Sequence, residues 1–115
     1  MTLKPIGAIA AKGLQHEGAV LIDIREPAEF AAQSIPGSRN VPLSTLANAK
    51  LDVQGAKVIF LCRSGARTSA NDVALSRLGG PGAQVLQGGL MGWTSVGLPT
   101  ESNAPARKGF FGMFG

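Results

Sequence analysis

The sequence predicts a small α/β domain, a parallel sheet with helices on both faces. Three observations lead there. Short apolar runs such as Ala19-Val20-Leu21-Ile22 and Val58-Ile59-Phe60-Leu61 have the length and branching of buried strands. Segments with helical spacing separate these runs, and that alternation implies parallel pairing through right-handed crossovers. The length of 115 residues suits one domain and not two. Strand order does not follow from the pattern.

In chain order, Met1 to Pro5 reads as a short extended lead. Pro5 can open a helix, and Ile6, Ile9, Ala10 and Leu14 fall at helical spacing, so a short helix is expected to end near Gln15 or His16. Ala19 to Ile24 is a buried strand. It ends in Asp23, Arg25 and Glu26, charges expected to pair with each other or cap backbone. Pro27 suits the first turn of a helix through Glu29 and Phe30 to Gln33. Pro36-Gly37 marks a tight turn, and Asn40 to Leu43 a brief extended piece. Ser44 is placed to cap a short helix through Leu46 and Ala49. Asp52 to Ala56 is a polar loop before the Val58 strand. Farther on, Ala70, Val73, Ala74 and Leu78 recur at helical spacing, with Thr68 or Ser69 as N-cap and Asp72 complementing the dipole. Gly79-Gly80-Pro81-Gly82 stops that helix. Gln84-Val85-Leu86 is a last strand, Gly88-Gly89 a turn, and Leu90 to Val96 a final helical segment in which Trp93 is a packing residue. The domain is expected over 1–100, with 101–115 a polar linker and a Phe-rich tail.

Composition narrows the function. Eleven basic and seven acidic residues give a formal charge of +4, but no basic stripe with interleaved aromatics, so nucleic acid is not an expected partner. Small anions suit a modest positive excess better. No stretch approaches the ~20 apolar residues of a membrane span, and the N-terminus is too weakly apolar for a signal peptide, so the expected location is cytoplasmic. One cysteine excludes an internal disulfide. One histidine, His16, distant in sequence and set among polar residues, leaves no metal site and reads as a surface residue.

The chemistry converges on that lone cysteine. Cys62 follows the Val58–Leu61 strand and precedes a helix, at the strand end where open α/β sheets bind ligands. A tight strand-to-helix turn can gather backbone N–H groups into an anion-holding nest, and Arg63 and Arg67 add charge. These effects favour thiolate, the nucleophilic form.

Cys62-Arg63-Ser64-Gly65-Ala66-Arg67 resembles the active-site loop of rhodanese domains, the thiosulfate-type sulfurtransferases. Three further runs resemble the family: Leu21 to Phe30, Ser34 to Leu43, and Gly88 to Pro99. In the second, Ser34 stands where the family usually has histidine. The resemblance covers about Ala19 to Pro99 and implies a rhodanese-like α/β fold. It also implies that Cys62 takes a sulfane sulfur from thiosulfate or a similar donor and passes it to cyanide or a thiol. The donor would bind along Arg63, Ser64, Gly65, Ala66, Arg67 and Thr68, and no cofactor is required. Gly88 and Gly89 are candidates for close backbone approach to this loop.

Two rivals stand beside this reading. A thiolate phosphatase or arsenate-type enzyme would use a similar cradle, but its loop sets five residues between cysteine and arginine. Here four separate Cys62 from Arg67, and Thr68 occupies the arginine position. A persulfide relay module would bind a protein partner, with the Phe-rich tail, Gly109 to Gly115, as a docking peptide.

Overall fold

In the computed structural model, which describes residues 2–103, the strands form one five-stranded, all-parallel sheet. They are β1 (Lys4–Ile6), β2 (Val20–Asp23), β3 (Arg39–Asn40), β4 (Val58–Leu61) and β5 (Gln84–Leu86), in the order β1-β5-β4-β2-β3. The helices are α1 (Ala8–His16), α2 (Pro27–Ala32), α3 (Ala66–Ala70), α4 (Asp72–Gly79) and α5 (Gly89–Ser95), with a 3-10 turn over Leu43–Asn48.

Alternation along the strands feeds two cores. Leu21, Ile59, Leu61 and Leu86 point to one face and pack with Ala8, Ala11, Leu90 and Trp93 of α1 and α5. Ile22, Val58 and Phe60 point to the other, where Leu75 joins them and Leu78, Leu43 and Leu46 pack alongside. Both faces are therefore covered, as the continuous apolar runs require. Trp93 is fully buried, and its Nε1 donates to the Pro99 carbonyl at 2.8 Å.

Four local expectations are corrected. The lead before Pro5 is an edge strand: Lys4 and Ile6 register with Gln84 and Leu86 of β5, and α1 starts only at Ala8. Proline lacks a ladder donor, which an edge tolerates. The buried face of α1 is Ala8 and Ala11, while Ile9 is 64% exposed. Ser44 does not cap the 3-10 turn; Pro42 holds that position, and the Ser44 hydroxyl donates to Glu26 at 2.8 Å. The helix after the cysteine starts earlier than expected, at Ala66, with Gly65 as N-cap, and it breaks at Asn71. Its buried residues are Thr68, Leu75 and Ser76, with Leu78 half-buried and Val73 exposed. The polar members of that set conceal it from a search for apolar periodicity.

The polar run after Pro99 is tied down at its start. Glu101 and Ser34 exchange backbone hydrogen bonds of 2.8 and 2.9 Å, and the Asn103 amide donates to the Ala31 carbonyl at 2.8 Å. The Phe-rich segment lies outside the described residues.

Candidate active site

The end of β4 lies between β5 and β2. The chain leaves β2 toward β3 on one side and leaves β4 toward β5 on the other, so the β2–β4 boundary is the switch point of the sheet, where crevices form. Cys62 sits there, with 1% of its surface exposed. Around it in the loop, Arg63, Ser64 and Ala66 are exposed.

The loop turns its donors toward sulfur. Gly65 takes a left-handed conformation, φ +104°, and its amide donates to Cys62 Sγ at 3.1 Å. Thr68 Oγ1 lies 3.8 Å from Sγ and donates to the Gly65 carbonyl at 2.9 Å. Burial pushes the Cys62 thiol up, but the amides of Thr68, Gly65 and Arg67 and the Thr68 hydroxyl together outweigh it, and the pKa falls below the ordinary thiol value. The amides among these donors are fixed by the backbone, so they need no reorganisation to hold a negative sulfur.

The carbonyls that such a turn leaves behind are taken by α5. Leu90 and Met91 amides donate to the carbonyls of Cys62 and Arg63, both at 2.9 Å. This requires near-contact of two backbones. A Cβ on Gly89 would lie 2.4 Å from the Cys62 oxygen and 2.7 Å from the Arg63 oxygen, and its φ is +58°. Of the two glycines it is Gly89 that lets the backbones meet, whereas a Cβ on Gly88 would press on Gly92 of the same helix, at 3.2 Å.

The β2 side supplies an ion-pair wall. Buried Asp23 accepts from Arg25 N, Nε and Nη2 at 2.8–3.1 Å, and Arg25 also donates to the Gln33 carbonyl at 2.6 Å. This is the structural pairing expected for these two. Asn40 Nδ2 closes the turn through the carbonyls of Asp23 and Arg25 at 3.0 and 2.8 Å.

Arg67 is engaged rather than open. Its two terminal nitrogens donate to the two Glu29 oxygens at 2.8 and 3.0 Å. The guanidinium holds the Glu29 carboxyl down at about 2, and the Glu26 amide helps. Glu29 is the residue that sequence reasoning missed. The pattern Glu26-Pro27-Ala28-Glu29 is a capping box, and both halves of it form at the start of α2; nothing in it announces a second bond to Arg67. Arg63, by contrast, makes no side-chain hydrogen bond among the described residues.

Ser34 is fully buried, and its hydroxyl has no partner. His16 is exposed at the end of α1. Among the described residues there is no His/Cys/Asp/Glu cluster able to hold a metal and no helix long and apolar enough to cross a membrane.

A family model described as "Rhodanese-like domain" matches residues 8–96. The chain belongs to the rhodanese-like domain family. Relatives agree with the assignment. The thiosulfate sulfurtransferase GlpE of Pseudomonas aeruginosa is 30% identical over 105 residues, covering 90% of this chain and 94% of that one. An uncharacterized protein of Synechocystis is 35% identical over 94 residues, covering 79% of this chain; the match spans about half, 52%, of that relative's length. Among solved structures, a thiosulfate sulfurtransferase from Pseudomonas aeruginosa superposes with a TM-score of 0.76 at 25% identity, over 87% of this chain and 19% of that one. In this rhodanese-like domain the cysteine loop, its backing glycine and the Asp23–Arg25 pair occupy one end of the sheet.

Proposed function

We propose that this domain is a sulfurtransferase acting through a Cys62 persulfide, with thiosulfate or a similar anionic sulfane-sulfur compound as donor. The observation that carries the reading is the Gly65 amide 3.1 Å from Sγ, in a loop whose other amides and Thr68 hydroxyl also favour the anion. The thiolate pair attacks the outer sulfur of thiosulfate. The sulfur–sulfur bond of the donor breaks, its electron pair leaves on sulfite, and Cys62 becomes a persulfide anion. That anion occupies the same nest. Cyanide or a thiolate then attacks the outer sulfur, forms thiocyanate or a new persulfide, and returns Cys62 as thiolate. No general base is needed when the nucleophile is already ionised, and turnover is ping-pong. The exposed Arg63 and the loop amides from Ser64 to Thr68 are the groups placed to hold the donor. The phosphatase alternative has less support, because Thr68 stands where that loop needs its arginine and the neighbouring Arg67 is held by Glu29.

The test is intact mass after incubation with thiosulfate, on wild type and Cys62→Ser. A gain of one sulfur atom on the wild type alone, discharged by cyanide, is the expected result. No gain, with an alkylatable thiol, sinks the proposal.

A further inference from the structure

The loop carries two arginines, but they are not equivalent. Arg63 is exposed in the loop, whereas Arg67 is bidentate to Glu29. Behind this pair, Asp23 and Arg25 cancel in the same way. Arg67 of α3 and Arg25 after β2 are therefore each matched by one carboxylate, Glu29 and Asp23, and each pair is neutral. Arg67 nonetheless senses the sulfur, since a negative Cys62 is among the charges that raise its pKa, after Glu29. Whatever compensates Arg67 thus acts on the potential an incoming anion meets.

We propose that Glu29 is a specificity-determining residue: by pairing with Arg67 it removes one of the loop's two cations from the approaching donor and so sets the preference between more and less highly charged donors. The assignment rests on the proposed role of the Cys62 loop. With Glu29 in place the donor's charge is met by fixed amides and by Arg63 alone. Without it a second full charge is exposed beside the thiolate, and doubly charged donors gain over singly charged or neutral ones. Release of an anionic product is slowed by the same charge. Glu29 touches no reacting atom; it is a positioning and charge-setting residue, already fixed in the capping box by the Glu26 amide at 3.1 Å.

The test needs no sulfur transfer. Second-order rates of Cys62 alkylation are measured at low ionic strength with iodoacetate, an anion, and iodoacetamide, which is neutral. Their ratio cancels the thiolate fraction and reads the local potential. Glu29→Gln is expected to raise the ratio by roughly two- to fivefold, the range of a partly exposed charge pair. Arg67→Gln leaves Glu29 uncompensated and is expected to lower it. The double variant returns it to the wild-type value, and Glu29→Asp, which keeps the pair, stays near wild type. About 1 M salt, with a Debye length of ~3 Å, compresses all the differences. In the transfer assay Glu29→Gln lowers KM for thiosulfate more than for a less charged organic persulfide. An unchanged ratio in folded Glu29→Gln overturns the proposal. So do shifts of the same sign in Glu29→Gln and Arg67→Gln, which would mean a distorted loop. If Glu29→Gln does not fold, Arg67→Gln and the double variant carry the same opposition of sign. Ratio shifts as expected in a protein that never loads sulfur would sink the sulfurtransferase reading and with it the donor preference, leaving Glu29 only as the residue that sets the charge beside Cys62.

Discussion

Substituting Gly89 by alanine attacks the loop from a position that touches no substrate. Two costs are separable. Alanine at φ +58° sits in the left-handed region, about 1 kcal/mol or somewhat more. The new Cβ would also meet two backbone carbonyl oxygens at 2.4 and 2.7 Å and the Arg63 carbonyl carbon at 2.8 Å. None of these is a flexible side chain that can swing away, so α5 must retreat from the loop. Retreat stretches the Leu90 and Met91 bonds to Cys62 and Arg63, about 1 kcal/mol each. The sum is about 3–4 kcal/mol, at the upper end for a single change. Gly97→Ala is the control: its φ is +82°, but a Cβ there has nothing within 4 Å, so only the backbone cost of about 1 kcal/mol applies. Urea unfolding should separate the two midpoints by roughly 0.7–3 M for an m-value of ~1–3 kcal/mol/M. Folded Gly89→Ala should also alkylate at Cys62 with a pH midpoint moved upward, because the amides around sulfur lose their backing. If Gly89→Ala is no less stable than Gly97→Ala and keeps the wild-type alkylation profile, the close approach of α5 is not what shapes the loop.

Three other outcomes are expected. Thr68→Val removes a hydroxyl that favours the Cys62 anion, so the pH at which iodoacetamide alkylation is half-maximal should rise; an unchanged or lower midpoint refutes that role. Arg25→Met strands fully buried Asp23 and should cost about 3–5 kcal/mol in denaturant unfolding, whereas a cost under ~1 kcal/mol would show a pair that contributes nothing net. Glu29, lowered from 4.5 to about 2 by Arg67, contributes stability that is present above its unfolded value and lost as pH falls through the folded one. Because both partners are over a third exposed, screening limits this to about 0.5–1 kcal/mol. Wild type should accordingly lose its margin over Glu29→Gln between pH 4.5 and 2 in acid unfolding, and a margin independent of pH would contradict the pairing.

The central strands and the thiol's place were legible because their signals are local: four apolar residues, a cysteine, then a glycine free to take positive φ. What was not legible depended on partners distant in sequence. β1 is three residues with a proline, and only β5, some eighty positions on, makes it a strand. The phase of α3 and α4 was misread because Thr68 is buried for its bond to the loop, not for its apolarity. Arg67 was legible as a charge beside sulfur, but not as a compensated one, since its partner, Glu29, belongs to another helix and lies 38 positions away in sequence.

The placement of α5 has a consequence for how the chain is made. The amides of Leu90 and Met91 that brace the cysteine loop, and the β5 strand to which β1 pairs, are among the last parts of the domain to be translated. Cys62 precedes Leu90 by 28 residues, roughly one to six seconds at ~5–20 residues per second on a ribosome. Throughout that interval the nascent cysteine loop has neither its brace nor a complete sheet. The bracing of the cysteine loop is thereby tied to completion of the fold, since the last helix of the domain must be made before the carbonyls of Cys62 and Arg63 find their partners.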